Sequence, residues 1–295
     1  MRYFRWYEFW LRLFCSYLIL TAGCATNSRT PPPPNTINKR SEKPPQSANK
    51  TQENSEKCLL FEMAKQDFGN FPTTLLQNSK DTFLAKDNMI ALSLAGGASI
   101  IMNQDADDEI AEHYERHRSF RNFKDESLYV IGHPGTHFAI AGIWYALSVE
   151  NQDRLNPDTI NHERALTMIN ALLLTWATTG TLKIARNNET PNGESFAWPS
   201  GHTSSSFTVA SVLDEFYGPK VGIPAYAIAS LVGYRMIDTG DHWASDVLFG
   251  ATLGWVVGHT VAGKHKELEI AGFKILPYIP TGGVPSTGIR LLKQF

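Results

Sequence analysis

Along this chain the apolar positions come in long stretches rich in small residues, broken by Gly, Pro, Asn and Asp. Alternation of apolar and polar residues, the mark of a half-buried strand, is not evident, so the pattern predicts an all-α fold, a helical bundle. Helices are expected over residues 88–102, 137–149, 161–183, 203–215, 224–235 and 245–261. Gly180 and the turn-like stretch Pro191-Asn192-Gly193 are expected to punctuate them. Two runs, 165–182 and 128–148, carry no charge. The first holds Asn170 and several threonines, and the second His133, Pro134 and His137. Both are read as buried helices of a soluble bundle, because the centre of a helical core needs helices that are apolar nearly all round.

The ends of the pattern differ from its middle. Arg2, Arg5 and Arg12 precede a short apolar stretch, and Leu20-Thr21-Ala22-Gly23-Cys24 follows. This arrangement resembles a lipoprotein signal peptide over residues 1–23, with cleavage before Cys24 and acylation of its thiol. Ala25 at the next position favours outer-membrane sorting. Residues 24–57, with four consecutive prolines at 31–34 and almost no apolar residues, cannot bury enough surface to offset chain entropy and are expected to form a disordered tether. The folded domain is then residues 58–295, exported and held by lipid at the bacterial cell envelope on the periplasmic side of the outer membrane.

Composition narrows the function classes. Twenty-seven Lys and Arg against 29 Asp and Glu give a net charge of −2, which implies no nucleic-acid partner. A hydrophobic fraction of 42% fits a globular protein. Three cysteines, of which Cys15 lies in the signal and Cys24 is assigned to lipid, leave Cys58 alone and build no disulfide framework.

The chemistry concentrates in Pro199-Ser200-Gly201-His202 and, forty residues on, His242-Trp243-Ala244-Ser245-Asp246. Ser200 and Gly201 stand where a helix is expected to begin, and the unpaired N–H groups of a helix start attract an anion. Gly201 lets a ligand approach the backbone, and His202 on the same turn can donate a proton to a leaving oxygen. His242 and Asp246 are spaced i, i+4. The carboxylate can hold one imidazole nitrogen as N–H and leave the other free to attack phosphorus. Arg235 and Lys183, each at the end of an expected helix, can bind phosphoryl oxygens.

These residues resemble the signatures of the phosphatidic acid phosphatase type 2 family and its vanadium haloperoxidase relatives. The family's second signature, Pro-Ser-Gly-His, is complete at 199–202, and Asp246-Val247-Leu248-Phe249-Gly250 continues the third as usual. The resemblance implies metal-independent hydrolysis of a phosphate monoester through a phosphohistidine, with no cofactor and with vanadate binding as a phosphate mimic. His242 would be the nucleophile, Asp246 its orienting partner and His202 the general acid. Lys183, Ser200, Gly201 and Arg235 would hold the phosphoryl group. The chain departs from the family in two places. Thr190-Pro191 stands where Arg-Pro is usual, with Arg186 the candidate to restore that charge. Six residues instead of five separate Arg235 from His242.

The expected substrate is a lipid phosphate, brought near by the membrane anchor, or a soluble phosphomonoester. The alternatives are a silent envelope lipoprotein that uses the fold for binding, and a vanadium haloperoxidase. His133 and His137 share an i, i+4 spacing, but Pro134 and Gly135 between them argue for a loop at the edge of the site and not for a metal pair. The acidic run Asp105, Asp107, Asp108 and Glu109 reads as a solvated loop. Trp198 and Trp243 flank the signatures and are candidates for the pocket mouth.

Overall fold

The computed structural model describes residues 65–121, 123–150, 159–263, 268–270, 273–278 and 288–293. The expected signal peptide, Cys24 and the tether lie outside the described residues. Met1–Asn70 and Phe71–Phe295 are separate compact units. Of the first, residues 65–69 are helical.

The second unit is all-α in its body. Its helices are α1 (Phe71–Phe83), α2 (Lys86–Asp105), α3 (Asp107–Arg116), α4 (Phe123–Gly132), α5 (Pro134–Glu150), α6 (Thr159–Arg186), α7 (Gly201–Tyr217), α8 (Pro219–Asp238) and α9 (Ala244–Gly263). A small antiparallel sheet follows, with β1 (Leu268–Ile270), β2 (Phe273–Tyr278) and β3 (Gly288–Lys293) in that spatial order. Pro277 sits on β2 opposite Ile289 of β3, past the last residue that β1 pairs, where a missing N–H breaks no second ladder. The sheet is the one element type that the apolar pattern did not announce.

All six expected helices are present, each longer by a few residues at one or both ends. Gly180 does not interrupt α6, which runs on to Arg186. Helix α8 starts at Pro219, which suits a first helical turn, and carries Pro224 inside it. Gly218, at φ 73°, ends α7 and turns the chain into α8.

The core forms where α9 packs on α7, with α8 and α6 closing over α7. Val212, Val232, Met236, Leu253, Val256 and Val257 are fully buried there. The contact between α7 and α9 is close because Gly250, Gly254 and Gly258 line one face of α9. A Cβ at these positions would lie 2.8 Å from Ser200 O, 2.1 Å from Ser204 O and 2.6 Å from Ser211 Cβ. The facing ridge of α7 is built of small hydroxyl residues that find partners while buried. Thr208 bonds Thr175 at 2.7 Å, Ser204 bonds Thr179 at 3.1 Å, and Ser211 donates to Trp255 O at 3.1 Å.

The uncharged runs are buried only in part. Helix α6 is the one helix among the described residues long and apolar enough to cross a membrane, and half of its apolar window is buried. On α5, Ile140, Ile143 and Leu147 are exposed, and so are Val130 and Ile131 at the end of α4. Absence of charge reported helices correctly but not the side from which they are covered.

Candidate active site

One end of the bundle collects the start of α7, the end of α6, the end of α8 and the start of α9. Ser200 caps α7, its hydroxyl accepting from Thr203 N at 3.4 Å, and is fully buried. The Ser200 N–H donates to Asp246 O at 3.1 Å. This backbone bond joins the Pro-Ser-Gly-His turn directly to the turn that carries His242 and Asp246, and Gly250 permits the approach.

His242 arrives by a turn that absorbs the extra residue. Helix α8 runs three residues past Arg235, Gly240 adopts φ 71°, and His242 N returns to Met236 O at 3.0 Å. Its Nδ1 lies 3.4 Å from Asp246 Oδ2, which also accepts from Trp243 N at 3.0 Å. Asp246 Oδ1 is buried without a hydrogen bond. Burial holds the His242 pKa below its ordinary value, with Asp246 opposing that shift and Lys183 adding to it. With Nδ1 facing the carboxylate as N–H, a neutral His242 keeps a lone pair on Nε2.

Lys183, in the last turn of α6, lies beside Gly201: a Cβ there would be 3.9 Å from Lys183 Cε. Its Nζ donates to Phe196 O and, at 3.1 Å, to Ala197 O. Phe196 holds φ 65°, an uncommon conformation for a non-glycine residue, with its carbonyl on the ammonium. Burial lowers the Lys183 pKa to about 8, against the pull of Asp246.

His202 stands on the first turn of α7. Burial, followed by the charges of His133, His242, Arg235 and His137, sets its pKa well below the ordinary value. Arg235 is 6% exposed and divided between two carboxylates. Its Nε donates to Asp125 Oδ1 at 2.7 Å, its Nη1 donates to Asp241 Oδ2, and its guanidinium lies 5.1 Å from the Tyr129 ring centre. The Nη2 group has no hydrogen bond among the described residues.

Arg186 is directed elsewhere. It donates to Asn103 Oδ1 at 3.1 Å and lies 5.3 Å over the Trp198 ring, so its contacts give no support to the charge-restoring role expected of it. Thr190, at the position where the family has Arg, shapes a turn. Its hydroxyl bonds Asn192 and accepts from Glu194 N at 2.9 Å, and Asn192 in turn bonds Asp241 at 3.0 Å. The tryptophans pack loops: Trp198 meets Phe249 at 4.4 Å between ring centres, tilted by 38°, and Trp243 donates to Glu189 O at 2.7 Å.

The acidic run is helical and not a loop, and of its residues Asp105, Asp108 and Glu109 are solvated as expected while Asp107 is buried. Asp105 ends α2, and Asp107 is 2% exposed on α3, where it accepts from Ser245 N at 3.0 Å and from the Ser245 hydroxyl. It thereby caps the start of α9 next to Asp246. Asp107, Asp125 and Tyr129 all escaped the sequence reading as site components, whereas His133 was expected at the edge of the site. Each comes from a segment distant from the signatures, and its residue type alone is ordinary.

Residues 153–268, which carry Lys183, Ser200, His202, Arg235, His242 and Asp246, match the family model of the PAP2 superfamily. A lipid A 1-phosphatase of Porphyromonas gingivalis is 42% identical over 65 residues, 21% of this chain and 15% of the relative. The chain thus matches under a sixth of that relative's length. Among solved structures, a transmembrane PAP2 type phosphatidylglycerolphosphate phosphatase from Bacillus subtilis is similar at 24% identity and TM-score 0.45, over 60% of this chain and 92% of that one. Aquifex aeolicus LpxE is similar at 23% identity and TM-score 0.39, over 50% of this chain and 90% of that one.

Proposed function

We propose that this chain is a phosphoric monoester hydrolase that acts on a phosphorylated lipid through a phosphohistidine on His242, without a cofactor. The observation that carries this reading is the Ser200 N–H to Asp246 O bond, which holds an anion-binding helix start against the His242–Asp246 pair. In the first step His242 Nε2 attacks phosphorus while the bond to the leaving oxygen breaks, and His202, which takes up a proton when the phosphate anion lies beside it, gives that proton to the leaving oxygen. Asp246 stabilises the imidazolium that forms. Lys183, the first N–H groups of α7 and Arg235 Nη2 offset the charge on the phosphoryl oxygens. Water then attacks the phosphohistidine and passes its proton to His202, releasing orthophosphate and restoring both histidines.

The lipid part of the reading draws on the similarity to the Porphyromonas lipid A 1-phosphatase and on the apolar side chains around the site. Ile184, Phe196, Val130 and Ile131 are exposed there. Acylation of Cys24 would keep the domain within reach of a bilayer. A silent binding module is the competing reading, favoured by Thr190 in place of Arg and by the two carboxylates on Arg235.

The test is phosphate release by the full chain from lipid and soluble phosphomonoesters without added metal, beside His242→Ala and Cys24→Ala. Release that vanishes in His242→Ala, is blocked by vanadate and is fastest on a lipid is expected. Cys24→Ala is expected to leave the membrane fraction and keep its turnover of soluble substrate. No release above the His242→Ala background would replace the enzyme by the silent module.

A further inference from the structure

The two catalytic imidazoles assigned above are held in different ways. His242 faces a carboxylate, whereas no side chain among the described residues hydrogen-bonds the His202 ring, whose Nε2 is buried and unpaired. A proton donor must present its N–H to the leaving oxygen within a narrow range of angles, and small misplacement is costly in rate. Something other than a hydrogen bond must therefore orient His202.

The structure supplies two rings. Tyr129, on α4, has its centre 5.1 Å from that of His202, and His133, between α4 and α5, lies 5.3 Å away and nearly perpendicular. Tyr129 and His133 also touch each other, at 5.6 Å. His133 is itself fixed: its Nδ1 accepts the Gly135 N–H at 3.0 Å, which leaves the proton of the neutral ring on Nε2. A Cβ at residue 135 would lie 3.0 Å from that same Nδ1, so the glycine is what allows the backbone under the ring. Burial lowers the His133 pKa, in keeping with a neutral ring that accepts at Nδ1.

We propose that His133 is a positioning residue for His202: anchored by the Gly135 N–H, its ring and that of Tyr129 hold the His202 imidazole in the orientation from which it protonates the leaving oxygen. The inference rests on the reading of His202 as general acid. Plain core packing is the rival account, and it makes a different prediction, because packing alone has no reason to depend on the leaving group.

The leaving group is therefore the probe. p-Nitrophenolate departs without a proton, whereas an alkoxide needs one. With the full chain, kcat and KM are measured on p-nitrophenyl phosphate and on an alkyl phosphate. His202→Ala sets the scale in kcat/KM, which reports transfer to His242 and not the later attack by water, with a loss of about a hundredfold or more expected on the alkyl ester and a far smaller one on the nitrophenyl ester. His133→Ala is expected to lose about tenfold in kcat/KM on the alkyl ester, with kcat/KM on the nitrophenyl ester changed by no more than about twofold. His133→Phe, which keeps a ring, is expected to fall between the two and carries the test if the alanine variant does not fold. Equal losses on both esters, or none on either, while His202→Ala still discriminates between them, would overturn the positioning role and leave the proposed reaction standing. A His202→Ala variant that does not discriminate would overturn the general-acid assignment, and the inference with it.

Discussion

Arg235 is the residue whose chemistry is least settled by its motif. A phosphate-binding arginine is expected to face its ligand with a free fork, yet this one gives Nε to Asp125 and Nη1 to Asp241. The two carboxylates hold the guanidinium still and also cancel its charge. If cancellation dominates, Asp125→Asn leaves more positive potential for an anion and is expected to tighten vanadate inhibition severalfold. It should also cost about 1–3 kcal/mol of stability, since a buried guanidinium loses a charged partner. Vanadate inhibition constants beside thermal melts measure both, and weaker inhibition would mean that holding Arg235 still matters more than its net charge. Legibility at this scale followed locality. Ser200, His202, His242 and Asp246 sit within a turn of one another in their motifs, so spacing alone brings each pair together. Arg186 was close in sequence to Lys183 but gives its guanidinium to Asn103 and Trp198, and Asp125 and Tyr129 on α4 and His133 just after it reach the site from a segment that no motif connects to it.

At the scale of elements, the helices legible in the sequence were those with long apolar stretches. The shorter α1, α3 and α4 were not: α3, for example, is mostly charged and polar, and is held by Asp107 reaching across to α9. What the pattern also hid is why α7 and α9 approach so closely. Glycine weakens a helix in general, but Gly250, Gly254 and Gly258 each remove a side chain that would meet the α7 backbone or Ser211. Two effects compete in Gly254→Ala. Alanine gains about 1 kcal/mol in helix propensity, while overpacking a close contact costs about 1–3 kcal/mol. With Ser204 O only 2.1 Å from the new Cβ, and backbone unable to swing aside, the clash is expected to win. Gly142→Ala on α5, where no atom lies within 4 Å, is expected to stabilise by up to about 1 kcal/mol. Urea unfolding of the two variants gives opposite signs if this account holds, and a stabilised Gly254→Ala would show that the ridge can separate at little cost.

For the molecule as a whole, the buried histidines tie stability to pH. Burial lowers the His137 pKa to about 4, and its Nδ1 is buried without a hydrogen bond. His202 and His242 are displaced in the same direction by the same cause. Because these folded-state values lie below those of the unfolded chain, the unfolded chain binds more protons as the solution is acidified. The stabilisation is therefore fully present above about pH 6.5 and is lost as pH falls toward the folded-state values. For His137 alone, a displacement from 6.5 to about 4 corresponds to roughly 3 kcal/mol across that interval. His137→Phe keeps a ring of similar shape and cannot take up the proton. Measured by urea unfolding at pH 7 and pH 4, the variant is expected to lose less stability than the parent by about that amount, while the carboxylates contribute equally to both. Parallel losses would mean that His137 is hydrated or repartnered on acidification, and the acid lability would then belong to the site histidines, His202 and His242.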